Sequence, residues 1–319
     1  MSQRLILVFV DIILPLIVGY LLCQRQIISD KLNTALIRFN VVVLVTILSL
    51  ASFWVLPLSM ELLLLPVYGI VFTFLPCVVA MATFARSFPN YLDRGAYVLT
   101  ATLSNMGTIG GVCAFILHDE LGFAYINLMA TPQNILLVIM CFPLAQYYLD
   151  RHRAVESRTR FRLDLRAMFL TWNQLPFLAM LLGMYFNYME IERPALVAQL
   201  FQPLVHVSAW ISLLPVGFLL DFGRARAYYR RIWTLLPLRF VIIPAIMYML
   251  ATCFFTDQVI LTSMLIVALT PSAINAVICT RLYNLNVDIA TSAFIMTTPI
   301  FLLLIYPILY FYITLGGTL

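Results

Sequence analysis

The sequence predicts an all-α polytopic membrane protein. It expects ten transmembrane helices in two inverted five-helix repeats, with one broken helix in each repeat. Composition, a run of ten apolar stretches and two matched interruptions lead to this reading. The chain is 63% hydrophobic and 10% charged, with a mean hydropathy of +0.99. A soluble domain is about half apolar and a quarter charged, so 319 residues of this composition need lipid as part of their solvent. Open sheets are excluded, because lipid satisfies no backbone hydrogen bonds. A closed barrel would alternate in segments of about ten residues, and these stretches do not alternate.

The apolar stretches lie at 5–23, 34–56, 61–84, 96–117, 123–148, 168–187, 195–220, 232–254, 258–280 and 288–314. A crossing helix needs roughly 20 residues. The first stretch lacks a basic leader and a small-residue cleavage site, so it reads as a retained helix. Short polar turns separate most of the others. The exception runs from Asp150 to Arg166 and holds Arg151, Arg153, Arg158, Arg160, Arg162 and Arg166. It divides the chain into a first repeat, 1–149, a basic loop, 150–167, and a second repeat, 168–319. Five spans per repeat is an odd number, so the second repeat must enter the membrane from the opposite side.

Charge sets the expected orientation. With both termini outside, the inner loops and adjoining span ends hold those six arginines with Arg25, Lys31, Arg38, Arg86, Arg94, Arg224, Arg226, Arg230, Arg231 and Arg281. Only Arg4 and Arg193 fall outside, and Arg239 lies within a span. This is a strong positive-inside bias, and it makes the loop at 150–166 cytoplasmic in a multi-pass cell-membrane protein. It also accounts for the formal net charge of +5 without nucleic acid. The six cysteines fall in spans with no CxxC pair, so disulfides and a metal site are not expected.

The interruptions are the most specific signal. Asn105, Gly107, Thr108 and Gly110-Gly111 break the fourth stretch, and Pro271, Ser272 and Asn275 break the ninth. An offset of 167 positions relates the two breaks and also maps Met129, Thr131 and Pro132 onto Met296, Thr298 and Pro299. Glycine costs about 1 kcal/mol in a helix interior, and proline removes a hydrogen bond and clashes with the preceding turn. Unwound backbone survives in a membrane only where it is buried or lines a cavity. Paired breaks are therefore expected to expose helix ends to a substrate at mid-depth, although small residues also serve simple close packing. The first and sixth stretches share a weaker pattern, Leu14-Pro15 with Gly19 and Leu175-Pro176 with Gly183.

Arg239 sits about seven residues into the eighth stretch. It reads as an anion-attracting or carboxylate-pairing group, or as a side chain snorkelling to headgroups. Asp11 reads as a possible carrier of a coupling proton, as an interfacial acid, or as a structural partner of Arg239. A lone His206 reads first as a hydrogen-bonded packing residue and second as a proton relay. Gln133 and Asn134 after Pro132, and Asn173 and Gln174 before Pro176, either line a cavity or satisfy freed backbone. No nucleotide-binding loop, HExxH or nucleophile elbow is present, so no enzyme and no cofactor is expected. Active transport would then draw on an H+ or Na+ gradient.

These residues resemble the auxin efflux carrier family, which includes bacterial malonate-type transporters and belongs with bile-acid-symporter-like and sodium/proton-antiporter-like proteins. The likeness is carried by Ile13-Leu14-Pro15 through Gly19-Tyr20-Leu21 to Ile28-Ser29. It continues in Asn105, Gly107, Gly110 and Gly122, in Arg239 with Pro244, and in Ala268, Pro271, Asn275, Tyr283, Asp288 and Thr298. The chain departs from the family at Val112, where proline is frequent, and at Thr280, where alanine is frequent. The first break is therefore expected to rest on glycine. The resemblance implies two crossed, unwound helices and a carboxylate substrate driven by the electrochemical gradient. The expected function is secondary transport of a small organic anion, with Asn105, Gly107, Thr108, Gly110, Pro271, Ser272 and Asn275 at the site. Membrane lipid and a second copy in a homodimer would be its partners. A passive anion channel and a sodium-coupled carrier of another solute class are the rivals.

Overall fold

Proline shapes many of these helices. In chain order they are α1 (Leu14–Gln24), α2 (Asp30–Phe39), α3 (Thr46–Trp54), α4 (Leu64–Ala82), α5 (Tyr91–Thr102), α6 (Gly111–Leu136) and α7 (Phe142–His152). There follow α8 (Leu175–Tyr188), α9 (Ala195–Phe218), α10 (Ile243–Phe254), α11 (Gln258–Leu269), α12 (Ile274–Leu282), α13 (Val287–Ile300) and α14 (Tyr306–Thr314). Wide π-helical turns at Phe9–Ile13, Leu137–Cys141, Leu238–Ile242 and Phe301–Ile305 lead directly into α1, α7, α10 and α14. Each of these four helices carries proline at its second residue: Pro15, Pro143, Pro244 and Pro307. The proline ring has no N–H for the carbonyl four residues back and pushes that carbonyl aside. The preceding turn widens in response.

The computed structural model describes residues 9–57, 60–153, 175–218 and 227–315. Arg4, the arginines at 158, 160, 162 and 166, Asn173, Gln174, Arg224 and Arg226 lie outside the described residues. Helices coincide with all ten expected stretches over their described parts, and no strand occurs among the described residues. By length and composition six segments can cross a membrane: Lys31–Trp54, Leu64–Ser87, Met106–His152, Ala195–Phe218, Leu235–Phe254 and Val287–Thr314. Val10–Gln24, Leu175–Tyr188 and Gln258–Leu269 are apolar but shorter. Met106–His152 spans 47 residues and bends at His118–Asp119, where Asp119 takes φ 52°. That bend separates the fourth stretch from the fifth.

The helices form two compact units that cut across the sequence halves. The first unit takes its residues from 1–62, 107–127 and 164–220. Within it α1 packs on α9, and α8 packs on α3. Glycine makes both contacts possible. A Cβ on Gly19 would stand 2.1 Å from the Leu214 carbonyl oxygen, and one on Gly217 would stand 2.1 Å from that of Leu16. A Cβ on Gly183 would stand 2.6 Å from the Leu50 oxygen. The Leu-Pro…Gly pattern of the first and sixth stretches thus serves the same close approach in each. Leu48, Ala51, Phe115, Phe123, Phe201 and Val205 fill the core beside them. At one end Arg193 pairs with Glu120 and donates to the Ala51 carbonyl at 3.0 Å, while Trp54 Nε1 donates to Ile191 O at 2.7 Å.

The second unit takes its residues from 63–106, 128–163 and 221–319. Its α4 shows how lipid enters the design. Leu65, Tyr68, Gly69, Phe72, Thr73, Pro76, Cys77 and Ala80 are buried, whereas Val67, Ile70, Phe74, Val78 and Met81 are exposed. The exposed set recurs every three or four residues, one face of the helix. An apolar stripe of that length left open to water would be a liability, and hydrocarbon solvates it. At one end of this unit Asp93 accepts from Asn286 Nδ2 at 2.7 Å and faces Arg231 at 3.7 Å. These residues come from three turns that the charge pattern assigned to one side.

Candidate functional site

Both interruptions fall where the sequence placed them, with one correction. The fourth stretch is unwound at Leu103–Asn105, upstream of its glycines, and Met106–Gly110 is already a π-helical turn. The first break therefore does not rest on Gly107 or Gly110. It is held open by partners from elsewhere in the second unit. The ninth stretch is unwound at Thr270–Ala273. Thr270 takes φ −57°, ψ 144°, the extended shape that a following proline enforces.

The two unwound strips pair with each other. Ser104 and Ser272 form an isolated antiparallel bridge. Asn105 N donates to Pro271 O at 2.9 Å, and Ala273 N donates to Leu103 O at 3.0 Å. Side chains take the remaining backbone groups. Gln133 accepts from Ser104 N at 3.3 Å through Oε1 and donates to Ser104 O at 2.8 Å through Nε2. Thr297 Oγ1 accepts from Ser272 N at 3.1 Å. Ser104 Oγ contacts Thr270 Oγ1, and Ser272 Oγ donates to Thr100 O at 3.0 Å. Every one of these residues is buried, so the crossing satisfies the demand that buried backbone be paired. Gln133 thereby resolves one open reading: it serves freed backbone.

Arg239 lies in the π-helical turn before Pro244 and is 3% exposed, which excludes snorkelling. Its guanidinium donates to Ala101 O at 2.7 Å, Leu103 O at 3.0 Å and Pro271 O at 3.2 Å. It therefore ties the C-terminal carbonyls of α5 to the second strip, where a helix dipole favours a cation. Among the described residues no carboxylate pairs with it. Its Nε, Asn105 Nδ2 and Thr298 Oγ1 are buried without a partner. Asn275 is the second residue of α12, whose first residue follows Ala273, an N-cap with no side-chain hydrogen bond. An uncapped helix start presents free N–H groups.

Gly107, Thr108 and Gly110 fall in the first unit, and the chain passes between units at Met106/Gly107. Gly107 is exposed, and a Cβ there would meet nothing within 4 Å. Asp11 also belongs to the first unit, and its partner is not Arg239. His206 Nδ1 lies 2.6 Å from Asp11 Oδ2, a contact that fits either reading of His206, hydrogen-bonded packing or proton relay.

A family model described as membrane transport protein matches residues 5–310. The chain belongs to that family. It is the auxin efflux carrier family that the residues around the two breaks resemble, and no curated protein matches the sequence. Membership makes this chain a multi-pass membrane transporter. Thr100 and Thr297 also belong to the crossing, and neither was singled out in the sequence. Thr131-Pro132 and Thr298-Pro299 had marked the repeat, and a polar residue beside an intramembrane proline was the available signal.

Proposed function

We propose that this transporter carries a small organic anion, a mono- or dicarboxylate, by gradient-driven alternating access. The observation that carries the reading is the Arg239 charge, buried at the crossing and balanced, among the described residues, by carbonyl dipoles alone. A desolvated cation with no carboxylate partner leaves a favourable field for an anion. Asn105 Nδ2, the Thr298 hydroxyl and the uncapped start of α12 supply donors for its oxygens. Asn105, Pro271, Ser272, Asn275 and Thr298 are the substrate residues on this reading. Arg239 sets charge preference and keeps the two strips together.

The repeat is read as inverted, with ten spans, both termini outside and the basic loop inside. Two features support it: the reciprocal packing of first on seventh and sixth on second stretches, and the end-to-end grouping of turns around Asp93 and Glu120. The test is uptake of labelled malonate, succinate and acetate into proteoliposomes, with and without a pH or sodium gradient. Saturable uptake of at least one is expected. Absence of flux for every carboxylate would overturn the anion reading.

A further inference from the structure

In the first unit an acid and an imidazole meet inside an apolar bundle. Asp11 is 3% exposed and His206 is half-buried, with Nδ1 to Oδ2 at 2.6 Å. Asp11 lies in the π-helical turn before α1, where Pro15 offers no N–H to the Asp11 carbonyl. His206 lies mid-way along α9, three residues after Pro203. Its surroundings hold little other charge. His206 is the one titratable residue between Ala195 and Phe218, and residues 40–54 contain none. Asp30 opens α2, on which Lys31 and Arg38 are exposed; α6, which brings Phe115 to the ring, also carries Cys113, His118 and Asp119, and its Glu120 is engaged by Arg193. Tyr20 and Cys23 lie two to three turns farther along α1.

The ring of His206 also meets Phe115 edge-on, with centroids 6.1 Å apart. Phe115 belongs to α6, five residues beyond Gly110, on the helix that leaves the first break. Phe115 further packs on Phe201 at 6.1 Å, one turn from His206 on α9. The imidazole therefore packs against the helix that follows the first break in the chain.

We propose that Asp11 and His206 form a proton-carrying site that couples a pH gradient to transport, an assignment that rests on the transport reading above. With a proton on the imidazole the pair is net neutral and stable in an apolar bundle. Loss of that proton to one aqueous side leaves a buried carboxylate uncompensated, which costs several kcal/mol in general and biases the unit toward a state that hydrates it. Return of a proton from the other side completes a cycle. No bond is made or broken beyond the proton's transfer.

The test uses proteoliposomes and labelled malonate, with acetate as a second probe. Wild type should show counterflow and should accumulate probe under one polarity of pH gradient. Asp11→Asn and His206→Gln should keep counterflow and lose gradient-driven accumulation. Because a variant can fail to fold, the wild type is also read alone. Its three histidines, labelled with ¹⁵N, should include one, assigned as His206, whose protonation changes on addition of malonate or acetate. Counterflow without any pH response, accumulation that survives Asp11→Asn, or a His206 signal indifferent to both probes would overturn this site. No counterflow at all would instead defeat the transport reading.

Discussion

Gln133 caps both backbone groups of Ser104, accepting from its N–H and donating to its carbonyl. One amide thus replaces the two helix hydrogen bonds that unwinding removes. Thr297 gives Ser272 half of the same service, through one accepted bond. The two residues come from the fifth and tenth stretches, each next to or near a Thr-Pro pair.

Removing Gln133 should therefore destabilise the protein and not merely the substrate site. Gln133→Ala leaves a buried N–H and C=O without partners, which costs about 1–3 kcal/mol per group. A lower melting temperature in detergent is expected. Gln133→Glu should also lower it, because the carboxylate cannot donate to Ser104 O. A melting temperature unchanged in both variants would contradict the pairing.

Asn105 and Thr298 should behave in the opposite way. Asn105 Nδ2 and Thr298 Oγ1 have no protein partner, so their loss removes a desolvation cost. Thr298→Val and Asn105→Ala are expected to melt at or above the wild-type temperature while weakening malonate or acetate uptake about tenfold or more, since a lost charge-assisted hydrogen bond is worth about 1.5–3 kcal/mol. Thermal melts and uptake on the same preparations read both halves.

Arg239 combines a clamp with a charge, and two substitutions separate them. Lysine keeps the charge but lacks the planar fork that reaches three carbonyls. Arg239→Lys should fold with a lowered melting temperature and retain some anion uptake. Arg239→Met should lose uptake altogether, because it removes the cation and strands the buried Ala101 carbonyl, while those of Leu103 and Pro271 keep the N–H groups of Ala273 and Asn105. Equal uptake by the two variants would separate Arg239 from anion preference.

Glycine substitutions divide by what surrounds them. A Cβ on Gly69 would stand 2.0 Å from the Met129 carbonyl oxygen, and backbone cannot yield that space cheaply. Gly69→Ala is expected to cost about 1–3 kcal/mol. Gly107→Ala meets open space and should leave the melting temperature unchanged.

The fold class was legible because lipid imposes a simple demand: enough apolar residues in a row, with charge kept to the turns. The positions of the breaks were legible as well, since Pro271 and its polar neighbours have few other uses inside a span. The local shape of the first break was not. Glycines at 107 and 110 drew attention, yet Leu103–Asn105 unwinds because Gln133, Arg239 and the second strip bind its backbone. Such partners lie 29 to 170 residues away in sequence, and no local propensity encodes them. Asp11 and His206 posed the same difficulty: each looked solitary, and their encounter depends on the close α1–α9 approach that Gly19 and Gly217 permit.

On the proposed reading, the crossing of the two unwound strips is where an organic anion is handled. Malonate and acetate counterflow, measured in proteoliposomes of wild type and Asn105→Ala, tests it most directly. Wild type should show saturable, trans-stimulated flux of at least one probe, and the variant should lose it while melting no lower. Flux that never saturates, or that Asn105→Ala leaves intact, would contradict it.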